Sequence, residues 1–216
     1  MLRSSGTSAA TARILQIDPR APAGDAERWG LEALRGRLIE LSARGATATL
    51  TAAIELVLEA QRAAEPVAWI ALGHGTFYPP DVADTGVDLA ALVVVCVVDA
   101  TTAARAAERL LRSGAFGLVV LDFAGGGNVE LALAHQGRLV GLAQTHDAAV
   151  VCLTDKPAEA PSLGSLISLR AEARRSGTQL DRTGARSHDV TVHALKDKRR
   201  GPGWSRTMAR RGPPGY

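Results

Sequence analysis

The side chains best suited to catalysis or metal binding lie far apart in this sequence. His74 stands between two glycines, with no carboxylate or second histidine beside it. His135 and His146 lie eleven residues apart on a predicted helix, about three turns, so one metal ion cannot bind both. The sequence contains no Ser–His–Asp, Cys–His or paired-carboxylate pattern. We therefore predict no ligand role for His74 and surface positions for the other two.

The two cysteines, Cys96 and Cys152, each lie inside an apolar run. A free cysteine in such a run behaves as a small hydrophobic residue. Neither has a second cysteine or a histidine at metal-ligand spacing. We predict that both thiols are buried and reduced, with a disulfide or a nucleophile as the alternatives.

Basic residues concentrate near the C-terminus. Residues 1–169 hold 13 Lys+Arg and 18 Asp+Glu, a net charge of −5, whereas residues 170–216 hold 12 and 4, a net charge of +8. The candidate binding residues are Lys196, Lys198, Arg199, Arg200, Trp204, Arg206, Arg210 and Arg211. On a flexible Gly/Pro chain they could contact DNA phosphates and stack on bases. They could equally order on an acidic partner protein, or form a solvated segment without a partner.

Length and composition predict one globular domain with a tail. The chain has 216 residues, 46% of them hydrophobic and 22% charged. The longest apolar run, Leu89 to Val98, has ten residues and is too short to cross a bilayer. Met1 to Arg13 lacks the apolar segment of a secretory signal. We expect a cytoplasmic protein.

Strands and helices alternate at short spacing through most of the chain. The predicted strands are 36–41, 67–72, 92–98, 118–122 and 148–153, and the predicted helices are 25–34, 49–64, 102–113 and 131–147. The continuous β-branched run 92–98 is typical of a strand covered on both faces. This alternation predicts an α/β fold with a mostly parallel sheet and helices on both faces.

The pattern changes after Pro161. Residues 166–173 and 189–195 read as two strands with no helix between them, which predicts a C-terminal antiparallel hairpin. Residues 197–216 carry four Gly and three Pro without periodicity. We therefore predict a flexible N-terminal segment (1–24), a core domain (25–196) and a basic tail (197–216) that is disordered alone.

The order of these elements resembles the core ATPase domain of the RecA family, from Gly36 to about Trp204. The segments that carry the resemblance are GRLIEL, EAQ, AWIALGHGTFYPP, TGVDLAALVV, AARAAERLLRSGAFGLVVLD, AVVCLTD, SLISLRAEARRSG and DVTVHALKDKRRGPGW. The resemblance implies a RecA-like sheet. It also places a nucleotide-binding loop at Ser42 to Leu50, and the departures there bear on function.

A phosphate-binding loop needs glycines, a lysine for the β- and γ-phosphates, and a Ser/Thr hydroxyl for Mg²⁺. The matching stretch offers Arg44, Gly45, Thr47 and Thr49, is shorter by a few residues, and has no lysine. The first lysine of the chain is Lys156. The resemblance therefore implies a degenerate nucleotide site, and we expect neither an enzyme nor a bound cofactor.

Other family positions are also degenerate. The glutamate that activates water would fall on Gly73, and the polar sensor on Thr154 or Asp155, where the family's glutamine is absent. Asp122 alone survives, at the position of a Walker-B carboxylate. Gly125 to Asn128 could form an anion-binding nest, although a flexible loop is the simpler interpretation.

A short chain with a degenerate loop and a basic C-terminal end is similar to the ImuA-type proteins of damage-induced mutagenesis. The resemblance implies a non-catalytic adaptor in the SOS response, DNA repair and translesion synthesis, nucleoid-associated through RecA and/or an ImuB-type polymerase. Single-stranded DNA contact through the basic tail is a further expectation. The alternatives are an ATPase with an unorthodox phosphate loop and a SulA-like division inhibitor.

The resemblance also suggests how such a chain would meet a recombinase. RecA-like domains oligomerise when an N-terminal segment of one subunit packs on the core of the next. Here Ile14 to Ile17, or the predicted helix Asp25 to Leu34, could serve as that element. We expect the chain to extend or cap a recombinase filament.

Overall fold

The described residues form one sheet of eight strands. The computed structural model describes residues 28–44, 47–73, 77–127, 129–180 and 186–211. The strands are β1 (Arg37–Ser42), β2 (Val67–Leu72), β3 (Leu92–Val97), β4 (Leu118–Asp122), β5 (Ala149–Thr154), β6 (Leu169–Leu180), β7 (Arg186–Asp197) and β8 (Ser205–Arg211). Across the sheet their order is β3-β2-β4-β5-β1-β6-β7-β8. The pairs from β3 to β6 are parallel, and the last two pairs are antiparallel.

Helices cover both faces of the parallel part. They are α1 (Leu31–Leu34), α2 (Thr49–Arg62), α3 (Pro79–Ala83), α4 (Ala100–Arg112) and α5 (Leu133–Thr145), with a 3₁₀ turn at Leu89–Ala91. The apolar side of α2 packs in one core with alternate residues of the sheet. Helices α4 and α5 pack in a second core on the opposite face. The predicted α/β class, with a mostly parallel sheet between two helical layers, is confirmed.

Local sequence signals place the parallel elements well. Strands β4 and β5 are buried along their whole length, as their continuous apolar runs predict. Helix α4 begins after Asp99, whose carboxylate accepts the backbone N–H of Thr102 at 2.7 Å. Asp99 is therefore the N-cap of α4. The predicted helix 25–34 is helical only as α1, and residues 25–27 lie outside the described chain.

The antiparallel part has three strands. β6 pairs with β7 as the predicted hairpin, and β8 adds to the outer side of β7. The prediction of a disordered tail is therefore wrong for residues 205–211. The apolar pattern of residues 205–211 is too sparse to predict a strand. The strand forms because its backbone groups pair with those of β7. The predicted segment 1–24 lies outside the described residues.

Strand β3 differs most from its predicted environment. The sequence predicts a strand covered on both faces. In the structure β3 is one of the two edge strands of the sheet. Val93 and Val94 are each 43% exposed and Cys96 is exposed, so the predicted burial of Cys96 is wrong. A β-branched run identifies a strand without giving its place in the sheet. Cys152 is buried as predicted, and burial raises the pKa of its thiol.

The helices of the described residues are short. None of them combines the length and the apolar composition that a bilayer span requires.

Candidate functional site

The residues of the predicted degenerate nucleotide site lie at one edge of the sheet, the edge formed by the carboxyl ends of the parallel strands. β1, β2 and β4 are parallel, so the segments that follow them leave the sheet on the same side. This edge carries Arg44, Thr47, Thr49, Gly73 and Asp122. Gly45 lies outside the described residues. The topology therefore brings the described candidates to a common edge, as expected for parallel strands.

The loop between β1 and α2 is tied to β6. The backbone N–H of Ala48 donates to the carbonyl of Ala173 at 2.9 Å, and Thr47 forms a β-bridge with Arg174. Thr47 Oγ1 also accepts the N–H of Thr49 at 3.1 Å and lies 2.6 Å from the Thr49 hydroxyl. Both hydroxyls and the Ala48 N–H therefore already have partners within the protein, while the Arg44 side chain is exposed.

Gly73 and Asp122 have local structural roles. Gly73 has φ 64, a left-handed conformation that a glutamate at this position would rarely adopt. Its N–H donates to the carbonyl of Val97 at 2.8 Å. The Asp122 carboxylate is fully buried and accepts the N–H of Ala124 at 3.1 Å. Both residues thus shape the turns that follow their strands.

The glycine loop after β4 already binds a carboxylate group of the protein itself. Gly125 N–H donates to the carboxylate of Asp155 at 2.8 Å. Gly125 and Gly127 both have positive φ, at 77 and 70. A free phosphate would have to displace the Asp155 carboxylate to reach Gly125. Asn128 lies outside the described residues.

A buried charged cluster that sequence reasoning missed lies beside this edge, centred on Glu40 in the middle of β1. The Glu40 side chain is fully buried, and Lys156 Nζ lies 2.8 Å from its carboxylate. Thr154 Oγ1 donates to Glu40 at 3.0 Å, and the backbone N–H of Leu163 donates at 2.6 Å. Arg170 Nε lies 3.8 Å away. Thr154, one of the two sensor candidates, is therefore bonded to Glu40.

The same cluster fastens residues 155–168, the strap between β5 and β6. The guanidinium of Arg170 donates to the carbonyls of Pro157, Ala158 and Ala160. Lys156 Nζ donates to the carbonyl of Pro161 at 3.0 Å. The only sequence signal for this cluster was a glutamate within the strand GRLIEL. Alternation there predicts a polar face, but every residue of β1 is buried.

The basic C-terminal residues are divided between structural and exposed positions. Asp197 is the centre of the structural group: Arg37 Nη2 lies 2.6 Å from its carboxylate, and both side chains are almost fully buried. Trp204 Nε1 donates to Asp197 at 3.1 Å, and the N–H of Arg199 donates at 2.9 Å. Trp204 is buried at 6% exposure, so the predicted stacking of this ring on bases is not supported.

These contacts set the pKa values of the pair. Burial opposes ionisation of Asp197, but the Arg199 N–H and the Arg37 guanidinium outweigh it and hold the pKa of this carboxyl below its ordinary value. Burial lowers the pKa of Arg37, and the contact with Asp197 offsets part of that effect. The two groups therefore depend on each other for their charged states.

Two more of the predicted basic residues hold the turn between β7 and β8 in place. Lys198 Nζ donates to the carbonyl of Ser165 at 2.7 Å. The Arg199 guanidinium donates to the carbonyls of Arg35 at 3.3 Å and Gly36 at 3.2 Å. This turn is thereby tied to the strap and to the start of β1. The sequence could not assign these roles, because each joins positions more than thirty residues apart.

The other predicted basic residues lie on the antiparallel strands or in the turn between β7 and β8. Lys196 is half-buried on β7, where burial and the neighbouring Lys198 lower its pKa. Arg200 is exposed in the turn, and Arg206 is half-buried on β8. Arg210 and Arg211 belong to β8 by their backbone, and their side chains lie outside the description.

The outer face of the antiparallel strands is polar. Across neighbouring strands, the hydroxyls of Thr191 and Thr207 lie 3.0 Å apart, and His193 Nδ1 lies 2.8 Å from Ser205 Oγ. Arg174, 59% exposed in its side chain, pairs with Glu172 on this face. Arg175 is also exposed, but as the next residue of β6 its side chain points to the opposite face, on the side of Val190. Arg174 and Arg175 are two exposed cations at neighbouring positions of β6, and they are suited to an anionic partner.

Among the described residues, no three His, Cys, Asp or Glu side chains cluster closely enough to hold a metal ion.

His135, predicted at the surface, is instead mostly buried, with Nδ1 2.7 Å from Glu108. His74 lies outside the described chain. No protein-family model and no curated protein matches this chain.

Proposed function

We propose that this chain is a non-catalytic RecA-like adaptor of the DNA damage response. In this proposal it supports translesion synthesis by binding RecA and/or an ImuB-type polymerase, in the manner of the ImuA-type proteins that its segments resemble. Its RecA-like core then serves as a binding surface without nucleotide turnover.

The observation that carries the proposal is the loop after β1. Its Ala48 N–H bonds to Ala173, and its two threonine hydroxyls bond locally. Gripping a triphosphate needs several free N–H donors and a lysine at this position. The described loop residues offer Arg44 as a cation and no lysine. Asp122 without a phosphate cradle cannot position a nucleotide for reaction.

A second observation indicates where the partner binds. Arg174 and Arg175 are exposed at neighbouring positions of β6, one on each face of the ordered three-stranded part of the sheet. A pre-ordered basic surface binds with a smaller entropic cost than a disordered tail. We therefore place the contact with single-stranded DNA, or with an acidic surface of the partner protein, at these exposed arginines of β6.

Binding measurements with the purified full chain test the proposal. Calorimetric titration with Mg²⁺–ATP should show no binding, while fluorescence anisotropy should detect binding to RecA filaments on single-stranded DNA or to an ImuB-type polymerase. ATP affinity that Arg44→Ala abolishes would support the ATPase alternative instead. Absence of binding to both protein partners would refute the adaptor.

Charge reversal locates the contact. The double variant Arg174→Glu/Arg175→Glu should weaken partner or DNA binding by about tenfold or more, because several phosphate or carboxylate contacts are lost. Arg109→Glu/Arg112→Glu, at exposed positions of α4, is the matched control and should leave binding unchanged. Equal losses in both variants would show a nonspecific effect of net charge.

A further inference from the structure

The outer edge of β3 carries no charge. From Leu89 to Val98 the chain has ten consecutive residues without Asp, Glu, Lys or Arg. Val93 and Val94 are 43% exposed, and Val98 is 86% exposed. One side of β3 pairs with β2, and within the described residues no strand pairs with the other side. This edge therefore offers unpaired backbone N–H and C=O groups flanked by apolar side chains.

The opposite edge of the same sheet is built differently. β8 has Arg206, Arg210 and Arg211 among its seven residues. Charged residues on an edge strand discourage pairing with other strands, because pairing would desolvate them. The β8 edge has this protection and the β3 edge lacks it. A long uncharged edge in a folded protein is expected to be covered by another strand.

We propose that β3 is a dimer interface, in which the β3 strands of two copies pair antiparallel and join their sheets into one of sixteen strands. This inference rests on the β3 edge alone and is independent of the proposed adaptor function.

Charge and symmetry favour a second copy as the occupant. Pairing β3 with β8 of another molecule would bring three arginines to an uncharged strand that offers no acceptor side chain. It would also be a head-to-tail contact that repeats without closing. Pairing β3 with β3 about a two-fold axis brings two uncharged strands together and forms a closed dimer. The β-branched composition of the strand suits such cross-strand packing.

The proposal predicts an unusual response to salt. The uncharged run is flanked by Asp88 and Asp99, so antiparallel pairing brings like charges near each other at both ends. Added NaCl screens this repulsion and should leave the dimer as tight or tighter. A contact through the arginines of β8 would weaken under the same change.

A distance measurement on the unmodified sequence tests the geometry. Cys96 is the exposed thiol and Cys152 is fully buried, so a nitroxide reagent should label Cys96 selectively. Two β3 strands paired edge to edge place the labels within about 35 Å for any register, including the label arms. Pairing of β8 with β8 would separate them by roughly 60 Å or more, because seven strand spacings lie between the edges in each copy. Pulsed electron paramagnetic resonance distinguishes these distances.

Sedimentation equilibrium of the full chain supplies the mutational test. Val94→Lys introduces a charge at an exposed edge position and should raise the dimer dissociation constant by about tenfold or more. Val94→Thr keeps the branched shape without charge and should retain the dimer. Ala209→Lys makes the corresponding change at an exposed position of β8 and should also retain it. Circular dichroism checks that each variant is folded.

The outcomes that overturn the proposal are distinct. A wild-type chain that is monomeric at about 100 µM, far above typical dissociation constants of specific interfaces, contradicts it. So does a dimer that Val94→Lys leaves intact, or an open series of larger species. A monomer in which Cys96 resists labelling would also contradict it, because that result would show that another segment of the same chain covers the β3 edge. Capture of a different protein by β3 in a monomeric chain would overturn the second copy as occupant.

Discussion

Strand β1 carries one buried ionic cluster on each of its faces, and the two are built differently. On one face, Glu40 shares its carboxylate among side chains and a backbone N–H, and its partner Lys156 is 17% exposed. On the other face, Arg37 and Asp197 form a pair that is 1% and 0% exposed. Glu40 fastens the strap 155–168, whereas Arg37 joins the parallel sheet to the turn before β8.

The difference shows how one strand can organise both halves of the sheet. Successive side chains of a strand point to opposite faces, so Arg37 and Glu40 hold separate segments. A charge with many partners loses only part of its stabilisation when one contact is removed. Arg37, by contrast, has Asp197 as its one anionic partner among the described residues, so its buried charge is uncompensated when that carboxylate is lost. We therefore expect the Arg37–Asp197 pair to be the more sensitive of the two.

The largest effect is expected from Asp197→Ala. It leaves Arg37 buried with only the hydroxyl and carbonyl oxygens of Ser168, and frees the Trp204 N–H. The free energy of unfolding should fall by about 3–5 kcal/mol, measured by urea denaturation. The double variant Arg37→Met/Asp197→Leu should recover part of the loss, because it removes both charges. A loss below about 1 kcal/mol would contradict the comparison.

The same pair predicts a pH dependence. The pKa of Asp197 is held below its ordinary value, so its contribution to stability is present above the unfolded pKa of about 3.9. That contribution is lost as the pH falls from there through the depressed folded pKa. Asp197→Asn should therefore differ most from the wild type near neutral pH and progressively less in acid. A constant difference down to about pH 2 would show that the carboxylate charge has no such role.

A smaller effect is expected from Glu40→Gln. The amide can keep part of the bonding with Thr154 or Leu163, while Lys156 and Arg170 lose the opposing charge. We expect a loss of about 2–3 kcal/mol in the free energy of unfolding. Hydrogen exchange should also become faster in the strap. Glu159→Gln, an exposed change within the same strap, is the control and should leave both measurements unchanged.

The smallest effect is expected from Trp204→Phe. The ring volume is largely kept while the N–H bond to Asp197 is lost, which should cost about 1 kcal/mol. Thermal denaturation followed by circular dichroism measures this loss. Because Trp204 is buried, affinity for single-stranded DNA should not change. A selective loss of DNA affinity with unchanged stability would restore the stacking role that the sequence suggested.

Most of the parallel half was predictable from local pattern. Continuous apolar runs located β4 and β5, and Asp99 marked the start of α4. The antiparallel half was less predictable. The strands β6 and β7 extend beyond the predicted limits, through Leu180 and from Arg186, and β8 was missed. Strands that are buried on one face carry weaker apolar patterns than strands buried on both.

The candidate site divides in the same way. The common edge of Arg44, Thr47, Thr49, Gly73 and Asp122 follows from the carboxyl ends of parallel strands, and the sequence places it there. The hydrogen bonds that these loops form within the protein do not follow from the sequence. The bond from Ala48 to Ala173 joins residues far apart in the chain, and the contact of Gly125 with Asp155 crosses between two loops.

By itself the sequence determined the α/β class, the alternation of the parallel half, and the absence of a lysine from the loop after β1, because these depend on neighbouring residues or on composition. Only the tertiary structure decided that β3 lies at an edge, that Glu40 and Arg37 are buried on opposite faces, and that Trp204 is enclosed. Strand order and ionic pairing join residues distant in the chain. Local periodicity carries no information about those contacts.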